Sequence, residues 1–386
     1  MSAPARVLVV IGTRPEGIKL APVVEALRRE PGVEPRVALT GQHTDLLDQV
    51  LDVFRLGVDW DLGIMREGQD LYDVAAGCLS GLRDVYREFR PDLVLVQGDT
   101  ATVFFGGLVA FFERTRVGHV EAGLRSGDKW RPYPEEVFRR LTGVVTDLHF
   151  APTAEARRNL LAEGVDPAHV FLTGNTVVDA LGEVAARNPG VGDPTLREVL
   201  VDRRRLVLVT AHRRESFGAP LREAFGAIRE LADRHEDLVV LYPVHPNPNV
   251  VGPARELLSG HPRIHLTAPL GYLDLVQALR HSTLVLTDSG GIQEEAPTFG
   301  TPVLVLREVT ERPEGVRAGV ARLVGTDREK ILRNAEDLLG DAATRERMAA
   351  ARNPYGDGRA AERIADIVAH ELTGRPRRTR DWEPPA

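Results

Sequence analysis

The stretch VLVVIGTRPEGIK, from Val7 to Lys19, decides the fold class. Val7 to Ile11 is an apolar run of the length a buried strand needs, Gly12 ends it, and a helix is expected to start near Pro15. Strand, glycine turn and helix in that order open a doubly wound α/β domain, whose ligands gather where strands end and helices begin. A dinucleotide-binding turn would read G-x-G-x-x-G. Here Gly12 and Gly17 keep the spacing, but Arg14 replaces the middle glycine. A bulky cation where a pyrophosphate needs close backbone approach argues against a nicotinamide cofactor and for another anionic ligand. The next strand agrees, because RVALTGQH (Arg36–His43) ends without the acidic residue that would hold a cofactor ribose.

Outward from this stretch the same alternation repeats. Further strands are expected at Arg36–Thr40, Leu93–Gln97, Val117–Val120, Leu148–Ala151 and Val170–Thr173. Helices are expected at Pro15–Arg29, Thr44–Phe54, Leu71–Phe89, Ala101–Glu113, Glu135–Val145 and Thr153–Glu163. NPGVGDP (Asn188–Pro194) reads as a surface loop near a domain junction. Beyond it a second series runs through Leu206–Thr210, Leu238–Tyr242, Ile264–Thr267, Leu284–Thr287, Val303–Leu306 and Arg322–Val324. Two such series in 386 residues predict two Rossmann-like domains with a central cleft.

Composition narrows the function. A net charge of −7 gives no support for nucleic acid as the main partner. Only three of the 49 basic residues are lysines (Lys19, Lys129 and Lys330), so arginine-rich segments carry little information and Lys19, inside the first motif, carries more. A lone cysteine, Cys78, excludes an internal disulfide and a cysteine-based metal cluster. No apolar stretch reaches membrane-spanning length and no leader is evident, so the chain reads as a cytoplasmic protein without a membrane partner.

Polar clusters fall at the predicted strand ends. Arg14, Glu16 and Lys19 follow the first strand. Asp99, with Thr100 and Thr102, follows LVLVQ, where capping of the next helix is the plain alternative role for Asp99. VGHVEAGLRSGDKWRPYPEEVFRR (Val117–Arg140) crowds His119, Glu121, Arg125, Asp128, Arg131, Glu135, Glu136, Arg139 and Arg140 into a Gly- and Pro-broken segment. Carboxylates from different segments divide acid and base roles when their environments differ. In the second series VTAHRRES and YPVHPNPN place His212, Arg213, Arg214, Glu215 and His245 beyond two strands, where a histidine beside Arg213 and Arg214 reads as a phosphate ligand or proton donor. TDSGGIQEEAP puts Ser289, Gly290 and Gly291 at a helix start suited to a diphosphate, with Glu294 and Glu295 within reach of ribose hydroxyls.

Ten motifs in order, from GTRPEGIK, GDT, GHVEAGLRSGD, PYPEE and TGNTVVDAL to AHRRESFG, YPVHPNPNV, TDSGGIQEEAP, TERPEG and NPYGDGRA, resemble those of the non-hydrolysing UDP-N-acetylglucosamine 2-epimerases. The resemblance implies the two-domain architecture of nucleotide-sugar glycosyltransferases (GT-B-like). Residues 1–172 would form the sugar and acid/base domain, with a helix near 359–373 packing back on it. Residues 173–358 would form a UDP-binding domain, and 374–386 a flexible tail. It implies reversible 2-epimerisation of UDP-N-acetylglucosamine to UDP-N-acetylmannosamine, by anti elimination of UDP through 2-acetamidoglucal and re-addition. The product would feed cell-surface polysaccharide. No cofactor or metal is implied, and the family suggests a homodimer.

Carried over by motif, Asp99, Glu121 and Glu135 would be the acid/base carboxylates, with the base in each direction left open; Lys19 and Arg139 would support the sugar. Arg14, His212 and Ser289–Gly291 would stabilise the diphosphate, and Glu295 would hold the ribose. Some members bind a second substrate molecule as activator; Gln42, Glu135, Arg213 and His245 match that site, while Asp45 and Gly68 depart from it. Arg131 departs from the small residue expected before PYPEE. Two alternatives stand beside this reading. One is an epimerase of a UDP-diacetamido uronic acid, whose carboxylate Arg125 or Arg131 would meet. The other is a glycosyltransferase of the same architecture that uses a UDP-sugar.

Overall fold

The computed structural model describes residues 3–41, 45–64, 66 and 68–384, without the side chains of residues 45 and 46. The chain forms two compact units. The first comprises residues up to 180 together with 355–384; the second comprises 181–354.

In the first unit the strands are β1 (Ala5–Ile11), β2 (Val33–Leu39), β3 (Trp60–Asp61), β4 (Leu93–Gln97), β5 (Arg116–Val120), β6 (Leu148–Ala151) and β7 (Val170–Leu172). They form one parallel sheet in the order β3-β2-β1-β4-β5-β6-β7. Val7 to Ile11 are wholly buried, as a parallel strand covered on both faces requires. Leu8, Val10, Val94 and Val96 pack on Val74, Cys78 and Leu82 of the helix Leu71–Phe89 and on Val103 and Ala110 of the helix Ala101–Phe112. Each valine or leucine among them contributes roughly 1.5–3 kcal/mol by leaving water.

The second unit repeats the scheme with β8 (Arg205–Thr210), β9 (Leu238–Pro243), β10 (Ile264–Thr267), β11 (Ser282–Thr287), β12 (Val303–Val305) and β13 (Ala321–Leu323), ordered β10-β9-β8-β11-β12-β13. Both sheets reverse direction once, between β1 and β4 and between β8 and β11. These switch points are where doubly wound sheets bind ligands. Every polar cluster singled out above follows one of these four strands or a strand beside them.

One local expectation is corrected, and two elements are added to those expected. The loop Asn188–Pro194 runs straight into a helix, Pro194–Val201, because Asp193 caps it at Leu196 N–H (2.8 Å) and Pro194 suits its first position. The short edge strand β3 is too brief for any periodicity. Finally, residues 374–384 are laid along the first unit instead of forming a loose tail. Arg375 pairs with Glu30 (2.7 Å), Arg378 with Asp366, and Trp382 is buried against Ala122, Ala151 and Ala156, its N–H bonded to Leu172 O (2.7 Å). The charges that suggested a solvated tail are matched by two buried acids, Glu30 and Asp366.

Candidate active site

In the first unit the site is built on the ends of β1, β4 and β5. Arg14 opens the helix Arg14–Arg28, and Lys19 lies one turn further along it. Lys19 Nζ donates to both oxygens of Glu121 (2.8 and 2.7 Å), and Gln97, the last residue of β4, also donates to that carboxylate. Glu121 is buried and follows β5 at a φ of +65°.

On the neighbouring strand end Asp99 receives Arg139, whose guanidinium also reaches Glu136 (3.2 Å). Glu136, 1% exposed, accepts the backbone N–H groups of Ser126 (2.9 Å) and Gly127 (3.3 Å), so it organises the loop between β5 and the helix Glu135–Val145. Glu135 is half-buried, and its Oε2 is buried without a hydrogen-bond partner. A carboxylate oxygen left so is poised for a ligand donor. Thus Asp99 and Glu121 stand on adjacent strands, each gripped by its own cation.

Of the two cations considered for a uronic-acid substrate, Arg125 is spent on Glu163 (2.7 and 2.8 Å), and Arg131 is exposed beside Asp128. Gln42 lies outside the described residues, as does the side chain of Asp45. Gly68 adopts a φ of +78° with open space where a side chain would stand.

In the second unit the organising residue is Asp288, at the end of β11 and 1% exposed. One of its oxygens accepts the backbone N–H groups of His212 (2.7 Å) and Arg213 (2.8 Å); the other lies 3.5 Å from His212 Nδ1. Burial lowers the His212 pKa, aided by Arg213 and His245 and opposed by Asp288. The His212 and His245 rings stack at 5.3 Å, and Arg213 Nε is buried with no hydrogen-bond partner.

Beyond Asp288, Ser289 precedes the short helix Gly290–Glu295. Its turn is fixed by Ser289 N–H on Thr287 Oγ1 (2.9 Å) and by Arg312 on buried Glu294 (2.5 Å). Gly290 leaves its space to the Arg312 guanidinium, and Glu295 sits against Gly291. Of the two acids expected near a ribose, Glu294 is therefore committed inside the protein.

Sequence reasoning passed over Gln97 and Asp288. Asp288 had a signal, an acid directly between a strand and SGG. Gln97 had none, as its role depends on which strand lies beside β4.

Two doubly wound parallel sheets with polar side chains at their switch points define a two-domain α/β protein of the nucleotide-sugar glycosyltransferase and epimerase architecture. The family model of UDP-N-acetylglucosamine 2-epimerases matches residues 25–369. A UDP-N-acetylglucosamine 2-epimerase of Escherichia coli O157:H7 is 48% identical over 94% of this chain and 98% of its own length. The structure of Staphylococcus aureus MnaA with UDP is 43% identical over 98% of this chain and all of that one (TM-score 0.89). That of the Neisseria meningitidis UDP-GlcNAc 2-epimerase bound to UDP-GlcNAc is 42% identical over 96% of this chain and all of that one (TM-score 0.85). The chain belongs to the UDP-N-acetylglucosamine 2-epimerase family and is an epimerase. Among the described residues no helix is long and apolar enough to cross a membrane.

Proposed function

We propose that this chain interconverts UDP-N-acetylglucosamine and UDP-N-acetylmannosamine by elimination and re-addition of UDP. A carboxylate takes the proton from the second sugar carbon, the bond from the first carbon to the diphosphate oxygen breaks, and a double bond forms between the two carbons. UDP then adds back while a proton is delivered to the other face. Atoms balance and nothing is oxidised or reduced.

The proton removed has no neighbouring carbonyl to acidify it, so stabilising the departing diphosphate must lower most of the barrier. In the second unit, His212, Arg213 and the backbone around Ser289–Gly291 are suited to that task, and Glu295 to the ribose. The observation that carries the proposal is the pair Asp99 and Glu121 on adjacent strand ends, since removal and return of a proton on opposite faces needs two independently held acid/base groups. Lys19 and Gln97 aim one, Arg139 the other, and Glu135 is the third candidate. The committed Arg125 and exposed Arg131 favour an uncharged sugar over a uronic acid.

Proton NMR of UDP-N-acetylglucosamine incubated with the protein in deuterated water tests this. Expected are UDP-N-acetylmannosamine and deuterium at the second carbon of both epimers, with little free sugar. Free N-acetylmannosamine with UDP would mean hydrolysis instead. No exchange at the second carbon would overturn the elimination route.

A further inference from the structure

The turn that carries Asp99 is tied down on both sides by groups that take no part in the steps above. On one side the Gly98 carbonyl accepts a 2.7 Å hydrogen bond from His119 Nε2. A carbonyl only accepts, so Nε2 bears the proton and the ring's other nitrogen does not. His119 is 1% exposed; burial, with Arg125 and Arg139 nearby, pushes its pKa down to about 4 and keeps the ring neutral. On the other side the Thr100 hydroxyl donates to Glu16 Oε1 (2.8 Å), while its oxygen caps the helix Ala101–Phe112 at Val103 N–H. Glu16, 2% exposed, also accepts Gly12 N–H (2.5 Å) and the Thr13 hydroxyl (3.0 Å). The ends of β1, β4 and β5 are thereby cross-linked through the residues immediately before and after Asp99.

We propose that His119 and Glu16 are positioning residues that clamp Gly98 and Thr100 and so hold the Asp99 carboxylate in place beside Arg139 through both halves of the reaction. This rests on Asp99 being one of the acid/base groups. Neither residue need touch the sugar. A short polar turn at the end of a strand would otherwise move by the fraction of an ångström that costs a proton transfer its geometry.

The test is steady-state kinetics on UDP-N-acetylglucosamine for His119→Phe, His119→Gln, Thr100→Val, Thr100→Ser and Asp99→Asn. Phenylalanine fills the histidine's space without a donor, whereas a glutamine amide reaches the Gly98 carbonyl. Expected is a fall in kcat of about tenfold or more for His119→Phe and Thr100→Val at KM within about twofold of the parent. His119→Gln and Thr100→Ser should recover most of the loss. If His119→Phe fails to fold, the Thr100 pair decides alone.

Asp99→Asn separates the two levels. If it is inactive while the folded His119→Phe or Thr100→Val protein keeps the parent kcat, the clamp is overturned and the role of Asp99 stands. If Asp99→Asn keeps the parent kcat, both fall. A rise in KM at constant kcat would also overturn the clamp, since it would mark these residues as binding groups.

Discussion

Glu121 occupies a backbone conformation that costs a glutamate of order 1–3 kcal/mol, because at a φ of +65° its Cβ crowds its own carbonyl. Burial of its carboxylate adds to that cost. What offsets both is Lys19, 15% exposed at its side chain against 5% for Glu121 and bonded to both oxygens, together with Gln97. Removing one partner of such a pair leaves a buried charge unmatched, at about 3–5 kcal/mol, whereas removing both charges costs far less. We expect Lys19→Met to lower the unfolding free energy in urea by roughly that amount, and Lys19→Met/Glu121→Gln to regain most of it. Neither variant should turn over UDP-N-acetylglucosamine at more than about one hundredth of the parent rate. A double variant no more stable than Lys19→Met would mean that the pair does not set the energetics of this corner.

Between elements, the ends of the first two strands meet at atomic contact. A Cβ on Gly41 would lie 2.2 Å from the backbone carbonyl oxygen of Gly12, and one on Gly12 would lie 2.1 Å from Thr102 Oγ1, itself bonded to Thr40 (2.6 Å). Gly41→Ala must therefore shift backbone, and should cost about 3 kcal/mol or more of stability with a parallel loss of activity; an unchanged melting temperature would refute that closeness. None of this is legible in the sequence, where both positions are simply glycines after apolar runs. The strands Leu93–Gln97 and Leu148–Ala151 were legible to the residue, since each is a buried run closed by polar or turn residues. So were the helices Leu71–Phe89, with Asp70 and Asp73 forming a reciprocal cap, and Glu135–Val145. The motifs also located the site, because in this fold chemistry sits at strand ends. Hidden were the partnerships set by tertiary packing: Gln97 with Glu121, His119 with the Gly98 turn, and Arg375 and Arg378 with acids more than 300 residues or only a dozen away. The choice between Glu135 and Glu136 was hidden for the same reason, since only packing shows which of two adjacent acids turns inward.

At the scale of the molecule, four titratable groups of the first unit have linkages to folding that oppose one another. Burial raises Glu16 from its ordinary 4.5 to about 7 and Asp179 from 3.8 to about 7, although both accept hydrogen bonds that pull the other way. Folded protein then binds more protons than unfolded protein, so each acid makes stability fall as pH rises from its ordinary value toward 7. Burial lowers His119 from 6.5 to about 4, and His149 to about 3 with His119 adding to the effect. For these the unfolded chain binds more protons, so stability rises with pH up to 6.5. Between about pH 4.5 and 6.5 two protons favour each direction, and their contributions cancel. Glu16→Gln should unbalance them, giving an unfolding free energy that climbs, relative to the parent's, by about 1.4 kcal/mol per pH unit over that window. His149→Leu should tilt it downward by the same amount, whatever constant packing loss it brings. Urea titrations of both variants and the parent at half-unit pH steps would show the two variants' slopes displaced to opposite sides of the parent's. Parallel curves would mean that these four groups do not govern the pH response, and that the turn around Asp99 rests on a carboxylate no harder to ionise than one in water.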